Sequence, residues 1–585
     1  MITEVESESP SFVLQATGGP NSPYETAGGT NLSENCVQNC HGDPVNTATG
    51  EFWEANDDLV IPQNGPMLGF VRNYTTSKKD QDGGLGYGWT NNYNMKLRPT
   101  SISDSVPVGE TLANAGQIAI VQENGSESVF TKLSNGTYVP PARVKATLTQ
   151  DVNGDYTFIR NKRDTFVFGS NGILKTIKDK NDNILNLTYG ENANLVKVAN
   201  MRNQYLNISW ENGRIDSVSD HTARTVSYDY DSSGNLISTT NPGGATRNYT
   251  YDGQHRVLTL SNELGGITTN NYYGDSDNRI ASQTDPRNHT MSFFYYPNQT
   301  LIMYPDGYQV AELYNKSKQL TQKTEYYNGK SSTYNYQYSP DGFVSEISDP
   351  QQRLSYMSYN ENGNVTAVQD NAGNITRMTY DETGNLLTTT NSLGDTATMT
   401  YDNNGNMTSS ISYEGRKTVY HLNSDGTPNS IVSPKGNIDG TNIADYTSSF
   451  TYTNGYLNAI IDANNNKNNI ITDSLGRLVK TVSTKGNVDG ADPDDYSSYI
   501  TYDSMGNILE TKDSQNNKNI NTYDAGGNVL TSKDPMGRIS TFTYDNMGNL
   551  LTSKDPLSRT TSYEYDSRNR LIKITNSKGK TSEIT

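Results

Sequence analysis

The sequence has little of what marks a membrane-spanning, nucleic-acid-binding or disulfide-rich chain. It contains no run of about 18 apolar residues, so no membrane-spanning helix is predicted. Charged residues make up only 19% of the chain, the pI is 4.8 and no cluster of Lys or Arg occurs, which argues against a nucleic-acid-binding surface. The chain has only two cysteines, Cys36 and Cys40, which are too few for a disulfide framework.

The chain is nevertheless not of a disordered type. Disordered chains lack aromatic residues and carry a high net charge. This chain has 40 tyrosines, and its net charge of −18 is spread over 585 residues. Because Tyr and Thr favour pleated, half-buried surfaces, the composition predicts an ordered, β-rich protein.

An internal repeat of 21 residues dominates the sequence from about residue 164 onward, with about 19 copies. In each well-formed copy a Tyr-Asp pair is followed by Gly-Asn, and degenerate copies place residues such as Tyr251, Tyr273 and Tyr295 at the repeat tyrosine position. The positions that we assign to this structural repeat motif are Tyr380, Asp381, Gly384, Asn385, Tyr401, Asp402, Gly405, Asn406, Tyr502, Asp503, Gly506, Asn507, Tyr523, Asp524, Gly527, Asn528, Tyr544, Asp545, Gly548 and Asn549.

Each repeat has the pattern of a β-hairpin. Apolar residues alternate before the turn, as in Phe542 and Tyr544, which places them on one face of a strand. Asp-x-x-Gly-Asn then supplies turn chemistry, because Asp bonds the local backbone and Gly accepts a positive φ. One hairpin cannot bury enough surface to fold alone, so the array predicts an all-β fold with one long antiparallel sheet, which must twist and curl.

The motif Tyr-Asp-x-x-Gly-Asn-Leu at this period resembles the YD repeats of bacterial Rhs proteins, wall-associated proteins and toxin-complex subunits. The segments 42–52 and 85–94 resemble the motifs of the domain that precedes the repeats in Rhs proteins. The resemblance implies a spiral sheet that forms a hollow shell around a C-terminal effector. It also implies a closing segment that frees the effector through an aspartyl site.

We therefore predict a polar flexible lead (1–41), an Rhs-type N-terminal motif domain (42–100), an irregular β connecting region (101–163) and a YD-repeat array (164–585). We expect residues 101–163 to join the long sheet as irregular early turns. The array is expected to be cut in mid-repeat, before the closing segment and toxin, so that the shell is incomplete.

Residue types with catalytic or metal-binding potential occur in patterns that favour structural roles. Two acidic loops, copies at an offset of 50 residues, carry calcium candidates, although longer hairpin loops duplicated with their repeat are the favoured explanation. These candidates are Asp439, Asp445, Asp489 and Asp495. Cys36, Cys40 and His41 lack a second ligand pair for zinc. His221, His255, His289 and His421 are variants of repeated positions, so we predict no catalytic residue and no cofactor.

The main functional hypothesis is a non-enzymatic encapsulating or delivery scaffold of an Rhs-type polymorphic toxin or wall-associated protein, acting in intercellular competition. The alternatives are a cell-surface protein that binds carbohydrate or the cell wall, and an enzyme acting on polysaccharide from a β-scaffold. The expected partners are a C-terminal effector, absent here, and cell-wall glycan or a target-cell surface. A secreted or cell-surface location is expected, although residues 1–6 lack the pattern of a signal peptide.

Overall fold

The computed structural model describes residues 40–100, 111–141 and 144–584. The predicted flexible lead and Cys36 lie outside the described residues, apart from the last two positions of the lead. The described residues form β-strands and six short 3₁₀ helices, and they contain no α-helix.

Three small antiparallel sheets precede the long sheet, and their strand orders are β1-β2, β3-β4-β5 and β6-β7-β8-β9. Their elements are β1 (Cys40–His41), β2 (Val45–Asn46), β3 (Trp53–Ile61), β4 (Leu68–Thr75), helix η1 (Thr76–Lys78), β5 (Trp89–Asn91), β6 (Lys96–Thr100), β7 (Gln117–Val121), β8 (Glu127–Lys132) and β9 (Tyr138–Val139).

The long sheet contains 41 strands, each hydrogen-bonded to its neighbours in sequence and antiparallel to them. Its first part consists of β10 (Ala146–Gln150), β11 (Tyr156–Arg160), β12 (Asp164–Phe168), β13 (Leu174–Lys178), β14 (Ile184–Tyr189), helix η2 (Glu191–Ala193), β15 (Leu195–Asn200), β16 (Tyr205–Glu211), β17 (Arg214–Asp220), β18 (Thr225–Tyr230), β19 (Leu236–Thr240), β20 (Thr246–Tyr251), β21 (Val257–Ser261), β22 (Ile267–Tyr272), β23 (Ile280–Thr284), β24 (Thr290–Tyr296), β25 (Gln299–Met303), β26 (Gln309–Tyr314), β27 (Leu320–Tyr327), β28 (Lys330–Tyr338) and β29 (Val344–Ser348). Its second part consists of β30 (Leu354–Tyr359), β31 (Val365–Gln369), β32 (Ile375–Tyr380), β33 (Leu386–Thr390), β34 (Thr396–Tyr401), β35 (Met407–Ile411), β36 (Lys417–Leu422), β37 (Pro428–Val432), helices η3 (Pro434–Asn437) and η4 (Ile443–Tyr446), β38 (Thr447–Thr453), β39 (Tyr456–Ile461), β40 (Lys467–Thr472), β41 (Leu478–Val482), helices η5 (Thr484–Asn487) and η6 (Pro493–Tyr496), β42 (Ser497–Tyr502), β43 (Ile508–Lys512), β44 (Lys518–Tyr523), β45 (Val529–Lys533), β46 (Ile539–Tyr544), β47 (Leu550–Lys554), β48 (Thr560–Tyr565), β49 (Leu571–Thr575) and β50 (Thr581–Glu583).

The predicted all-β class and the long antiparallel sheet are confirmed. The strands β12 to β49 pair into 19 hairpins. In one repeat the predicted position was wrong. Tyr272, not Tyr273, lies at the repeat tyrosine position, because it ends strand β22 and pairs with Ile280. The connecting region also differs from the expectation, because β7 to β9 form a separate sheet with β6, and only β10 and β11 join the long sheet.

A β-bulge in most hairpins explains why the sheet bends steadily. In the hairpin β46-β47, Tyr544 pairs with Leu550 and Thr543 pairs with Thr552, which leaves Leu551 as an extra residue. The same shift in register recurs in hairpins such as β32-β33 and β42-β43. Because a bulge bends its strand and increases the local twist, a bulge repeated along the array curls the sheet.

The sheet completes a turn and returns on itself. We call β10 to β29 the first coil and β30 to β50 the second coil. The Lys162 Nζ donates a hydrogen bond to the Glu382 carbonyl oxygen at 2.9 Å, and the Asn262 Nδ2 donates one to the Asn546 carbonyl oxygen at 2.7 Å. Turns between repeats in the first coil therefore contact the Asp-x-x-Gly turns of the second coil, which confirms the spiral.

The two coils differ in what covers their inner face. The small sheet β3-β4-β5 packs inside the first coil, where the Trp89 Nε1 donates to the Tyr251 hydroxyl at 2.9 Å and the Tyr74 hydroxyl donates to the His255 carbonyl oxygen at 3.0 Å. Beyond Leu320, the buried apolar residues of the described chain are few: Val432, Ala459, Leu475 and Val482. The core therefore lies in the first coil, and the inner face of the second coil stays half-exposed.

Candidate functional site

The turn aspartates make the same hydrogen bonds in successive repeats of the array. Asp381 Oδ1 accepts hydrogen bonds from the backbone N–H groups of Thr383 and Asn385, both at 2.8 Å, and its Oδ2 accepts one from the Asn385 Nδ2 at 2.8 Å. Gly384 has a φ of +87°, a conformation that favours glycine. The same bonds recur at Asp402, Asp503, Asp524 and Asp545, so these carboxylates serve the turns.

The turns between repeats use the same carboxylate geometry with a different donor. Asp534 Oδ1 accepts from the backbone N–H groups of Met536 and Arg538, both at 2.9 Å, and its Oδ2 accepts from the Arg538 Nε at 2.6 Å. Burial raises the pKa of Asp381, but the hydrogen bonds from Asn385 and Thr383 have the larger combined effect and lower it to about 2. Because these bonds favour the charged form, Asp381 acts as an ionised clamp of its turn.

The repeat tyrosines connect each hairpin to the preceding one. The Tyr544 hydroxyl donates to the Val529 carbonyl oxygen at 2.9 Å, and the Tyr401 hydroxyl donates to that of Leu386 at 2.8 Å. The bonds span 15 residues each and recur at Tyr189, Tyr230, Tyr251, Tyr272, Tyr359, Tyr523 and Tyr565. In one repeat the Trp210 Nε1 replaces the hydroxyl and donates to Leu195. Tyr502 spans the longer loop and bonds Leu478.

Tyr380 departs from this pattern. Its hydroxyl contacts the Met378 Sδ at 3.7 Å, which is a weak acceptor. The ring still lies on the inner face, next to Leu386 of the paired strand. The motif therefore predicts the position of the ring, and the hydroxyl bond varies between repeats.

The inner face of the second coil carries no charge at its strand positions. In the described strands β30 to β49, the positions on the same face as the repeat tyrosines hold aromatic, aliphatic, Met, Pro, Ala, Ser, Thr and Asn residues. In β46-β47 these residues are Ser540, Phe542, Tyr544, Leu550 and Ser553. Charged strand residues lie on the opposite face, as Arg377, Lys417, Lys533, Lys554, Glu564 and Lys573 do.

The inner face of the first coil is held by a buried ion pair that sequence analysis missed. The Arg72 Nε donates to both oxygens of Asp58 at 2.9 Å, and the Arg72 Nη1 donates to the Tyr249 hydroxyl at 2.9 Å. The Tyr228 hydroxyl donates to Asp58 Oδ2 at 2.8 Å. The signal available in the sequence was one Arg directly after the apolar run 68–71 in strand β4.

A second buried carboxylate fixes the segment that follows β1. The Glu312 side chain is fully buried, and its two oxygens bond the His41 Nε2 at 3.0 Å and the hydroxyls of Thr47 and Tyr314 at 2.6 and 2.7 Å. Burial raises the pKa of Glu312, but these donors lower it below its usual value. His41 is thus a docking residue of segment 41–52, and the backbone of Cys40 lies in β1.

The candidate calcium aspartates lie in the two acidic loops that follow β37 and β41. The loops contain η3-η4 and η5-η6, and each is anchored by an Asn: Asn437 Nδ2 donates to the Lys417 carbonyl oxygen and Asn487 Nδ2 to that of Lys467. Asp445 accepts from the Asn442 Nδ2 at 3.1 Å. Across the ranges 40–100, 111–141 and 144–584, no group of three or more His, Cys, Asp or Glu side chains could hold a metal ion. The predictions for Asp439, Asp445, Asp489 and Asp495 stay predictions.

The histidines lie apart from one another. The His221 Nε2 contacts the Ser474 carbonyl oxygen at 2.8 Å, His255 contacts Asn235, and His289 contacts Asp285 of its own turn. His421 lies on strand β36, on the face opposite Tyr420. None of the helices among the described residues has the length and apolarity that crossing a membrane requires.

Comparison with known sequences identifies two families along the chain. The profile described as RHS Repeat matches residues 210–246, 230–267, 359–396, 381–418, 523–556 and 548–581. The profile described as domain of unknown function (DUF6531) matches residues 42–130. The six repeat matches fall in three places along the long sheet, and the second profile covers β2 to β7 and part of β8.

Curated relatives are similar over about half of the chain. The tRNA nuclease WapA of Bacillus subtilis (strain 168) is 25% identical over 277 residues, which are 43% of this chain and 11% of the relative. The tRNA3(Ser)-specific nuclease WapA of Bacillus spizizenii is 25% identical over 312 residues, which are 52% of this chain and 13% of the relative. This chain therefore spans only about a tenth of the length of these proteins.

Among solved structures, TcdB2-TccC3 without its hypervariable C-terminal region is similar over 94% of this chain and 43% of that chain, at 11% identity and a TM-score of 0.41. The repeat profile matches at three separate places, and the hairpin it describes recurs from β12 to β49 in one sheet. The fold thus defines a coiled scaffold built of YD repeats. Residues 210–267, 359–418 and 523–581 of the chain are repeats of the Rhs (YD-repeat) family.

Proposed function

We propose that this chain is part of the wall of an Rhs-type protein container, which has no enzymatic role of its own and holds a polypeptide effector. The observation that carries the proposal is the half-exposed inner face of the second coil, whose strand positions are uncharged. A half-exposed, uncharged surface that carries apolar side chains is the kind of surface that a binding partner covers. Met407, on this inner face, is 37% exposed.

The chemistry of that face suits a chain of variable sequence. Rows of Met, Leu, Ile and Tyr alternate with Ser and Thr, so the face offers apolar contact and hydroxyl groups without a fixed charge pattern. Flexible thioethers such as those of Met378 and Met399 adapt to different apolar partners. An inner face of this kind would tolerate different effectors without repelling segments of either charge.

The similarity to relatives named as tRNA nucleases supports an effector of toxic activity. Because the chain spans about a tenth of their length, we place that activity in the effector of a longer polypeptide. Secretion or display at the cell surface and a role in competition between cells belong to the same proposal.

The proposal is tested in the longer polypeptide by changing the charge of one face only. Ser532→Glu with Ser553→Glu introduces two carboxylates on the inner face, whereas Lys533→Glu with Lys554→Glu changes the neighbouring positions on the outer face. Limited proteolysis followed by mass spectrometry measures protection of the effector. We expect the inner-face variant to lose protection and the outer-face variant to keep it. Rapid digestion of the effector in the unchanged protein would refute the proposal.

A further inference from the structure

The segment 41–52, which we call the strap, is bound to side chains on the inner face of the first coil. Thr268 Oγ1 donates a hydrogen bond to Asp43 Oδ2 at 2.9 Å, and Thr300 Oγ1 donates one to the Thr47 carbonyl oxygen at 2.6 Å. Strands β1 and β2 form a two-stranded sheet of their own. The strap can therefore leave the coil without breaking any ladder of the 41-strand sheet.

The first residue of the strap is joined to the turn 304–308, which connects β25 and β26. The His41 Nε2 lies 3.0 Å from Glu312 Oε1, and the His41 Nδ1 lies 2.7 Å from the Tyr304 hydroxyl. His41 thus uses both ring nitrogens, one on strand β26 and one on the turn before it. Docking of the strap fixes the position of the Tyr304 side chain.

The same turn is part of the contact between the two coils, which we call the seam. Arg568, in the turn between β48 and β49, has a side-chain nitrogen 2.8 Å from Asp306 Oδ2. Its guanidinium carbon lies 4.1 Å from the ring centre of Tyr308 and 5.2 Å from that of Tyr327. Only 12% of the Arg568 side chain is exposed, and a cation over aromatic rings is held more strongly when water is excluded. Arg568 is therefore an anchor of the second coil on the first.

The strap and this anchor meet through two tyrosine rings. The ring centres of Tyr304 and Tyr308 are 5.2 Å apart, so the Tyr304 ring forms one side of the site that holds Tyr308. Contacts then run without a gap from His41 to Tyr304, to Tyr308 and to Arg568. Residues 527 positions apart in the sequence are joined by two intervening side chains of a single turn.

We propose that the strap is a latch for the seam, so that its release from Glu312 frees the turn 566–570 from the first coil. Without His41 the Tyr304 hydroxyl loses its partner, the Tyr308 ring gains room to turn, and Arg568 loses the surface on which it stacks. The wall then opens between the coils at this point. Energetic coupling is reciprocal, so loss of Arg568 must loosen the strap in turn. The latch is a property of the wall and does not depend on what the wall encloses.

Trypsin cleavage of the purified chain, followed by mass spectrometry, tests the latch. Trypsin must reach the arginine side chain, and cleavage of a transiently open site follows the population of the open form. Arg568 is the reporter, and Arg559, whose side chain is 63% exposed, is the reference within the same molecule.

Three variants separate the latch from a general loss of stability. His41→Ala removes both contacts of the imidazole, and Tyr304→Phe removes only the hydroxyl contact and keeps the ring. His421→Ala is the control, because this histidine is exposed on the outer face of β36. Circular dichroism and the melting temperature check that each variant folds.

We expect cleavage after Arg568 to be about fivefold faster in Y304F, the factor that corresponds to one hydrogen bond of about 1 kcal/mol, and faster still in H41A. Cleavage after Arg559 should stay the same in all variants, and H421A should behave as the unchanged chain. Hydrogen exchange read by mass spectrometry should show faster exchange of the strap amides in Arg568→Met.

Two results would overturn the proposal directly, namely unchanged cleavage after Arg568 in both H41A and Y304F, or unchanged exchange of the strap in Arg568→Met. Equal acceleration of cleavage after Arg559 and Arg568 would also overturn it, because the variants would then loosen the whole second coil and not the seam at this turn.

Discussion

The carboxylate of Asp58 accepts two hydrogen bonds of 2.9 Å from the Nε of Arg72, and both side chains are buried between the sheet β3-β4-β5 and the first coil. Burial raises the pKa of Asp58, while the Arg72 guanidinium and the Tyr228 hydroxyl lower it. The ion pair therefore depends on both partners, because either charge alone would lie in a dry environment.

The variant Arg72→Met leaves the Asp58 charge without its partner. We expect it to lower the free energy of unfolding by about 3–5 kcal/mol, the usual cost of breaking a buried pair from one side. The double variant Asp58→Leu/Arg72→Met should lose less than the single one, since it removes both charges. Urea denaturation followed by tyrosine and tryptophan fluorescence measures both, and equal losses would contradict this account.

The tyrosine hydroxyls can be tested one repeat at a time. Tyr544→Phe removes the bond to the Val529 carbonyl oxygen and keeps the ring, so we expect a loss of about 1 kcal/mol and faster amide exchange in β45 and β46. Tyr380→Phe is the matched control, because its hydroxyl contacts only the Met378 sulfur at 3.7 Å. Hydrogen exchange read by mass spectrometry should change in the first variant and stay unchanged in the second.

The contact between the coils depends on a glycine. A Cβ at Gly266 would lie 2.4 Å from the Asn546 carbonyl oxygen, so Gly266→Ala must push the second coil away at this point. Gly253→Ala is the control, since a Cβ there meets nothing within 4 Å. Limited proteolysis should cleave the turn 545–549 faster in the first variant only. Unchanged cleavage in Gly266→Ala would show that the coils do not touch there in solution.

Acid should destabilise the array through its turn aspartates. The pKa of Asp381 in the folded chain is about 2, and that of Asp402 is also lowered, whereas an unfolded Asp titrates near 3.9. A lowered folded pKa stabilises the fold above the unfolded pKa, and this stability is lost as the pH falls through the folded pKa. We expect the urea midpoint to drop steeply between about pH 4 and pH 2. A midpoint that is constant over this window would contradict the role of these carboxylates.

The sequence was sufficient to predict the hairpins because their determinants are local. Asp545 and Gly548 act within one turn, and Tyr544 reaches only to the neighbouring strand β45, so their spacing carries the information. The same reasoning placed one repeat tyrosine at 273 instead of 272, because two adjacent tyrosines fit the period and only strand pairing separates them.

What the sequence could not show depends on contacts between distant segments. Arg72 meets Tyr249 across 177 residues, and Asn262 meets Asn546 across 284. Neither pair has a periodic signature, since each joins one particular turn or strand to another.

Every strand of the long sheet after β10 pairs with the strand that precedes it in the chain. Each hairpin can therefore close as soon as its own two strands have been synthesised. The last strand formed then offers its free edge to the next strand. Such a molecule can be assembled in the order of translation or of passage through a narrow export channel. Its slow step would then be the return of the second coil onto the first, about 220 residues after the first contact partner has emerged.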